Sequence, residues 1–556
     1  MKLTLATLNS KYIHTNLALY LLESAVEDLA ETNIKEFTIK EDYHDIVSEL
    51  VTFNSDLYCF SIYIWNVTQT FEVIRLLKEK LPNIKILIGG PEVSYDQRYF
   101  IETYPQIDFL ISGEGETIFR QLVKNDLDPT SLNISTKDKV LSSPNQANLN
   151  FIESSCSPYH KLKDIKNRLV YFEASRGCPY SCSFCLSSLE KGVRFYNIEY
   201  LKNELLYLIE NGVKTVKFLD RTFNTKLEFA YQIFDFIIKH HKSNQSFQFE
   251  ITGDILPTEI IDYLNENAPK GLFRFEIGIQ STNQETNNLV DRNQDLDILL
   301  TNIVKIQEAG VIDLHLDLIA GLPKEDLKSF EKTFNDIFAI KPLELQLGFL
   351  KMLRGTKIRN QANLHFYKYQ TESPYEIISH SHMSEDDLFK IHLAEEGLEK
   401  YWNKHKTDRA INYLANIKQN YFQLFYEIGL YWFDNYQIFT NFQSHDLYQR
   451  LALYGDEKYQ DSQVILDLVK FDYLINSKIK PKRFYETLDK KSRNAIFSKL
   501  LKDSDLFKAN DLYKYSYLEE LVINPLTYVQ RECYLIVNFQ NETSYYLFDK
   551  VTLKLI

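Results

Sequence analysis

Three cysteines, Cys178, Cys182 and Cys185, stand in the run Ser175-Arg176-Gly177-Cys178-Pro179-Tyr180-Ser181-Cys182-Ser183-Phe184-Cys185, directly after the largely apolar stretch Leu169 to Ala174. They are half of the six cysteines in the 556-residue chain, and no fourth lies near them. The spacing lets one short loop wrap three thiolates around a compact inorganic core. A structural zinc site closes its tetrahedron with four protein ligands. Three thiolates on a four-iron cluster, a core usually held by four cysteines, leave one iron open for a substrate or cofactor. A zinc knuckle completed by a distant histidine, or buried thiols that merely lie close, are the competing readings of the spacing.

Such a loop needs a frame. Apolar strand-like runs occur at Leu169 to Ala174, Thr215 to Leu219, Phe247 to Thr252, Leu272 to Gln280, Leu314 to Ala320 and Leu345 to Leu350. Helical patterns such as Glu199 to Asn211, Lys226 to His241 and Asp295 to Ala309 lie between them. This alternation predicts parallel βα units. Six of them make an incomplete barrel, whose chemistry belongs at the C-terminal ends of its strands. Polar residues fall there: Asp220 and Arg221 after the second run, Glu250, Thr252 and Asp254 at the third, Glu276, Gln280 and Ser281 at the fourth. Gly321-Leu322-Pro323 closes the fifth, and the sixth runs into Lys351 to Thr356. Taken singly, each is an ordinary strand exit or helix cap.

Residues 1–140 predict a separate α/β unit, with strands at Leu3 to Leu8, Lys35 to Ile39, Leu57 to Ile62, Lys85 to Ile88 and Phe109 to Ser112 and helices such as Leu17 to Leu29 and Gln69 to Lys80. The pattern is that of a doubly wound parallel sheet, which binds ligands in the crevice at its strands' carboxyl ends. The loops there are Asn9 to Asn16, Ser61 to Asn66, Gly89-Gly90-Pro91-Glu92-Val93-Ser94 and Ser112-Gly113-Glu114-Gly115-Glu116. The Gly89-Gly90 pair permits close backbone approach to a large flat ligand.

The cysteine run resembles the CxxxCxxC signature of the radical S-adenosylmethionine (radical SAM) superfamily, and the N-terminal loops resemble those of the cobalamin-binding domain that precedes many such barrels. The resemblance implies a [4Fe-4S] cluster on Cys178, Cys182 and Cys185. S-adenosylmethionine would chelate the open iron and be cleaved by one electron to methionine and a 5'-deoxyadenosyl radical. It places Phe184 near the adenine, makes Gln280, Ser281 and Gly321 ribose and adenine contacts, and puts Arg292 where the family has an arginine after the fourth strand; Asp220 and Glu250 complete the expected cofactor contacts. For cobalamin it implies Asn9, Ser61, Trp65, Gly89, Gly90, Glu92, Gly113, Glu114 and Gly115. One departure matters: the mutase-type DxHxxG motif is missing. Asp42-Tyr43-His44 has Val47 in place of the glycine and follows the second strand, and His14 lacks the aspartate two residues before it. No histidine ligand to cobalt is expected. His44 reads as a loop residue, and Tyr63, Trp65 and Asn66 are the candidates for the lower face.

The expected architecture is therefore α/β: a Rossmann-like cobalamin-binding domain (1–140), a linker (141–168), a partial (β/α)6 TIM-type barrel (169–374) and a mainly helical C-terminal domain ending in a β-hairpin (375–556). In the last part, Asp386 to Trp402, Asp408 to Trp432 and Leu447 to Leu474 read as amphipathic helices, and Glu532 to Phe539 and Ser544 to Ile556 as a hairpin around Asn541. Such a tail resembles the uncharacterised domain that follows some cobalamin-dependent radical enzymes. His380 and His382, where the barrel ends, are further candidates for the active site.

Cys59, Cys156 and Cys533 are scattered singly, which suits a reducing, cytoplasmic compartment. No secretory signal is expected at the N-terminus, and no apolar run approaches the roughly 18 residues of a membrane span. The formal charge of −13 and the lack of a dense basic patch argue against a nucleic-acid partner. The expected activity is cobalamin-dependent methylation of an unactivated carbon. The substrate would be a small molecule or peptide, and the electron donor of flavodoxin or ferredoxin type. The alternatives are a non-methylating radical rearrangement, or a methylthiotransferase-like enzyme with a vestigial N-terminal domain.

Overall fold

The computed structural model describes residues 1–190, 192–437, 439–503 and 506–556. They form two compact units: residues 1–326 with 348–384, and residues 327–347 with 385–556.

The first unit opens with a five-stranded parallel sheet, in spatial order Glu31–Thr38, Lys2–Asn9, Leu57–Ser61, Lys85–Gly89, Phe109–Ile111. The first strand thus lies between the second and third, and the switch point of the winding falls between the loops after the first and third strands, where such folds bind ligands. Helices cover both faces. Leu50, Ile74 and Phe100 fill one core and Leu19, Phe119 and Leu122 the other. Asn16 starts the helix Leu17–Val26, its side chain accepting from the Leu19 amide, as an N-cap does. The second strand begins at Glu31, four residues earlier than its apolar run. His44 lies in the first turn of the helix Tyr43–Thr52 and not in a loop; Asp42 caps that helix.

The barrel strands follow in chain order: Leu169–Phe172, Thr215–Phe218, Ser246–Ile251, Phe273–Gln280 and Asp313–Ala320, each parallel to the next. The sixth strand, Glu344–Phe349, ends where Leu350 N–H donates to Ala320 O. Residues 127–168 are less irregular than their turn formers predict, because Asn148 caps the short helix Leu149–Ser154.

In the second unit two of the expected helices are broken. Asp408 to Trp432 is two helices, Asp408–Lys418 and Tyr421–Tyr436, because Gln419 takes a left-handed conformation (φ +57°) and Asn420 caps the second. Leu447 to Leu474 is likewise Ser444–Lys458 and Ser462–Ile475. Helices Glu385–Tyr401 and Tyr421–Tyr436 pack backbone to backbone: a Cβ on Gly429 would sit 1.9 Å from Leu393 O, and one on Gly397 2.4 Å from Phe425 O. The terminal hairpin, Gln530–Asn538 with Ser544–Asp549, gains a third antiparallel strand, Ser516–Ile523.

Candidate active site

The cysteine loop leaves the first barrel strand over a buried carboxylate. Ala174 N–H donates to Asp220 Oδ2 (3.0 Å) and Ser175 Oγ–H to Oδ1 (2.5 Å), and burial pushes the Asp220 carboxyl up to about 7. Both oxygens thus tie the second strand's exit to the first, so Asp220 holds the start of the cysteine loop. A two-residue antiparallel pair, Ser175–Arg176 with Arg194–Phe195, closes the loop's base. Gly177 there has φ +92°, and a Cβ would fall 2.0 Å from Gly192 O. Cys182 is buried, Cys178 and Cys185 half-buried, and Phe184 lies half-buried between the last two cysteines. Cys178 Sγ is 3.8 Å from Thr222 Oγ1, and Cys182 Sγ 3.9 Å from Arg292 Nη1. Burial raises the Cys182 thiol and the Arg292 guanidinium opposes it. Arg292 also donates to Gly278 O. Three thiols on one loop beside a cation fit an anionic iron–sulfur core. The other cysteines lie elsewhere: Cys59 inside the first sheet, Cys156 on the surface, Cys533 in the C-terminal sheet.

Buried polar side chains clamp the other strand exits. Asn224 Nδ2 donates to Thr252 O (2.8 Å) while its Oδ1 accepts from Thr252 N–H (2.9 Å), joining the second exit to the third. Ser281 Oγ–H donates to Glu325 Oε1 (2.5 Å), joining the fourth to the fifth, so Ser281 too is committed within the protein. Gln280 is different. It follows a register shift in its strand, takes φ +70°, and has a buried Oε1 that no protein donor reaches among the described residues. A side chain held in a rare backbone conformation with an unanswered acceptor fits a ligand that carries a donor, as a ribose hydroxyl does. Gly321 (φ +87°) accepts from the Tyr367 hydroxyl through its carbonyl (3.0 Å). His380 packs on Tyr367 (ring centroids 5.2 Å apart), its ring lowered to about 4 by burial, whereas His382 is exposed.

Below these exits the sheet has a polar face of which the sequence analysis names only Glu250 and Glu276. Register pairs Tyr171 with Lys217, Lys217 with Gln248, Gln248 with Arg274, Glu250 with Glu276, Glu276 with His315, and Gly278 with Asp317. Lys217 bonds both oxygens of Glu276 (2.9 and 2.7 Å), Arg221 approaches Glu250 (3.9 Å), and His315 meets Asp317 (2.9 Å). Burial raises the Glu250 carboxyl against the pull of Arg221. The signal was present as strict alternation, Phe273-Arg274-Phe275-Glu276-Ile277, in strands whose parallel pairing otherwise favours continuous apolar runs.

The N-terminal crevice is built around Asn66, which is fully buried. Its Nδ2 donates to Leu8 O and Ser61 O (both 3.1 Å) and its Oδ1 accepts from Tyr63 N–H (2.8 Å), so it fastens the two switch-point loops together. Tyr63 and Trp65 stack with centroids 4.4 Å apart and planes 7° from parallel, and Trp65 is 44% exposed. Gly90 has φ +111°, and a Cβ there would lie 2.5 Å from Ile62 O. A stacked aromatic pair whose outer member, Trp65, is exposed fits a large planar ring beside glycine backbone. Asn9 and Ser61 lie inside the loops of this crevice. Asn9 Nδ2 bonds His14 O (3.0 Å) and Glu36 (3.3 Å), and the Ser61 side chain is buried.

Glu92 and Glu114 hold the crevice to the barrel. Glu92, 4% exposed, accepts from the Tyr375 hydroxyl (2.5 Å) beside Arg354, which also bonds Asp96 (2.5 Å). Glu114 and Glu116 grip Arg176, two residues before Cys178. Its Nη1 meets Glu114 and Glu116 (both 3.2 Å), and its Nη2 meets Glu116 (2.6 Å) and Glu173 (2.8 Å). Arg194 adds a second bond to Glu114. At a third point, Leu169 N–H donates to Ile13 O (2.8 Å), and Arg168 pairs with Glu36 (2.6 Å). Gly113 (φ +76°) and Gly115 lie in the loop that presents these carboxylates.

Family models match along the chain: a B12 binding domain over residues 3–123, the radical SAM superfamily over residues 172–337, and a protein family of unknown function, DUF4080, over residues 363–548. The chain thus carries a radical SAM domain preceded by a B12 binding domain. The family assigns the cofactors anticipated from the sequence: a [4Fe-4S] cluster and S-adenosylmethionine to the barrel, and cobalamin to the N-terminal domain. Among curated proteins the chain is similar to the cobalamin-dependent radical SAM methyltransferase TokK of Streptomyces tokunonensis (27% identity over 50% of this chain). It is also similar to the 2-(S-pantetheinyl)-carbapenam-3-carboxylate methyltransferase of Streptantibioticus cattleyicolor (28% over 50% of this chain). The match spans 44% of the length of each. Two radical SAM structures share the fold. The methyltransferase TsrM from Kitasatospora setae superposes with a TM-score of 0.55 at 14% identity, over 67% of this chain and 78% of its own. The cobalamin-dependent enzyme OxsB does so with 0.56 at 15%, over 85% and 76%. No helix among the described residues is long and apolar enough to cross a membrane.

Proposed function

We propose that this protein is a cobalamin-dependent radical SAM methyltransferase that methylates an unactivated carbon of a small molecule or peptide. The observation that carries the reading is the placement, within one compact unit, of a three-thiol loop at the first barrel exit and an aromatic- and glycine-lined crevice whose loops are bolted to that exit. The matched methyltransferases favour methylation over rearrangement. We assign residues 1–140 to cobalamin, 169–374 to the cluster and S-adenosylmethionine, with 141–168 as their linker, and 375–556 to a domain of its own.

When bound, the cluster with S-adenosylmethionine supplies hydrogen abstraction and cobalamin supplies the methyl group. The chain's own residues do the rest. Cys178, Cys182 and Cys185 hold the iron, Arg292 offsets thiolate charge, Phe184 and Gly321 flank the adenine, and Gln280 takes a ribose hydroxyl. Asp220, Ser281 and Asn224 keep the exits fixed, so that little geometry is left to be gained on binding. Glu250 and Arg221 sit on the polar face for a substrate's polar groups. Gly89 and Gly90 with Trp65 receive the corrin, while Glu92 and Glu114 hold its domain against the barrel.

Anaerobic reconstitution with iron and sulfide, followed by cobalamin and S-adenosylmethionine, tests this. Iron, bound corrinoid and 5'-deoxyadenosine are expected together, and Cys182→Ala should abolish 5'-deoxyadenosine. Undiminished formation by that variant, or a protein that takes up no corrinoid, contradicts the reading.

A further inference from the structure

We infer that Glu190, hydrogen-bonded to Tyr95, is a substrate-positioning carboxylate between the cluster loop and the cobalamin crevice, and that it receives a basic nitrogen of the substrate. The inference rests on the proposed function and adds to it a chemical class of substrate, one that carries an ammonium or guanidinium group.

Hydrogen abstraction and methyl delivery must reach one carbon, so the substrate has to lie where the cluster loop adjoins the crevice. Three loops converge there. Glu190 follows the single 3-10 turn Leu186–Leu189 that leaves Cys185. Tyr95 belongs to the crevice loop after the strand Lys85–Gly89, and its hydroxyl donates to Glu190 Oε1 (3.3 Å). Gly355, in the loop after the sixth barrel strand, takes φ +87° and closes the junction. A Cβ on it would collide with Tyr95 Cβ and lie 3.3 Å from Leu189 Cδ1. On the barrel side Glu190 shares the electrostatic surroundings of Arg221 with Cys178 and Cys185, so the carboxylate stands on the same side as the thiols.

The charges around it are committed to one another. Arg176 is gripped by Glu114, Glu116 and Glu173, Arg194 is paired with Glu114, and Arg221 approaches Glu250 (3.9 Å). Glu190 forms no ion pair among the described residues, and the Tyr95 hydroxyl is its one side-chain donor there. It is half-buried. Burial raises its carboxyl and Glu114 adds to the rise, while Tyr95, Arg176 and Arg194 oppose it. An ionised carboxylate offers about four lone-pair sites, and one neutral donor leaves most of them unanswered. A cationic N–H group answers them best, because a hydrogen bond between two charged partners is about twice as strong as a neutral one. An anionic group would instead meet Glu190 and Glu114 together.

The test uses the reconstituted full-length protein loaded with cob(II)alamin, and reads the proton NMR relaxation of three probes of one shape: n-butylammonium, n-butanol and butyrate. The unpaired electron of cob(II)alamin shortens the relaxation of any probe held beside the crevice. In wild type, butylammonium should show a saturable enhancement larger than those of the other two. Glu190→Gln should weaken its binding about tenfold, the scale of one lost charge-assisted hydrogen bond, and Glu190→Asp should restore part of it. Tyr95→Phe should keep the preference for the cation. Iron and corrinoid contents of Glu190→Gln should equal those of wild type, which a carboxylate serving only to hold the cluster loop would not allow. Equal butylammonium binding in wild type and Glu190→Gln overturns the proposal. So does butyrate enhanced as strongly as butylammonium, the absence of enhancement for every probe, or loss of iron in Glu190→Gln. A wild type that takes up neither iron nor corrinoid removes the proposed function and this inference together, whereas full cofactor uptake without selection for the cation removes this inference alone.

Discussion

Asp220 is a carboxylate whose value to the protein depends on its proton. Its folded form binds the proton up to about pH 7, far above an unperturbed aspartate near 3.9. Between those limits the folded state carries more protons than the unfolded one, so stability should fall as pH rises through that window and level off above about 7. Thermal melting against pH should therefore slope downward in wild type between about pH 4 and 7, while Asp220→Asn, which retains acceptor geometry for Ala174 N–H, should flatten that slope. Gly90 offers a separate test. A methyl group at φ +111° would meet Ile62 O at 2.5 Å, so Gly90→Ala should weaken corrinoid uptake, measured by absorbance titration, and leave iron content unchanged. At this scale the sequence disclosed which positions are polar but not what they touch. The types and spacing of Cys178, Cys182 and Cys185 announce their chemistry directly. Nothing local to Glu92, Glu114 or Asp220 announces that their partners, Tyr375, Arg176 and Ala174, are brought from distant segments.

The elements were legible where periodicity is strong. Parallel strands and their helices fall within a few residues of their patterns because apolar alternation and caps such as Asn16 and Asp295 act locally. The errors sit where a single residue breaks a continuous apolar stripe, as Gln419 does, or where a strand such as Ser516–Ile523 gains its identity only from pairing with Gln530–Asn538. The most consequential element is the loop Gly113 to Glu116, whose two carboxylates fix the arginine ahead of the cluster cysteines. Arg176 is 7% exposed at its side chain, and truncating one member of a buried ion network leaves the others uncompensated at a cost of about 3–5 kcal/mol. Arg176→Met should lower the denaturant midpoint accordingly and reduce iron retention, whereas Arg176→Lys, which keeps the charge but loses the planar fork, should recover only part. An unchanged midpoint in Arg176→Met would show that the network is ornamental.

At the scale of the whole molecule, chain order and compactness disagree. Helix Leu327–Phe338 follows the fifth barrel strand, yet it belongs to the second unit. Phe334 and Phe338 are buried there against Phe422 (5.7 Å), Phe425 (5.1 Å) and Trp402 (4.7 Å). A protein truncated after residue 374 should expose that aromatic face and be recovered as aggregate, and a soluble, cluster-retaining truncation would contradict the division. The whole account turns on a cluster whose unligated iron receives S-adenosylmethionine. Electron paramagnetic resonance of the dithionite-reduced, reconstituted protein, recorded before and after adding S-adenosylmethionine, tests it most directly. A cubane signal whose g-values shift on addition, and which is absent in Cys182→Ala, is the predicted result. A signal unmoved by saturating S-adenosylmethionine, or a protein that holds zinc in place of iron, would contradict it.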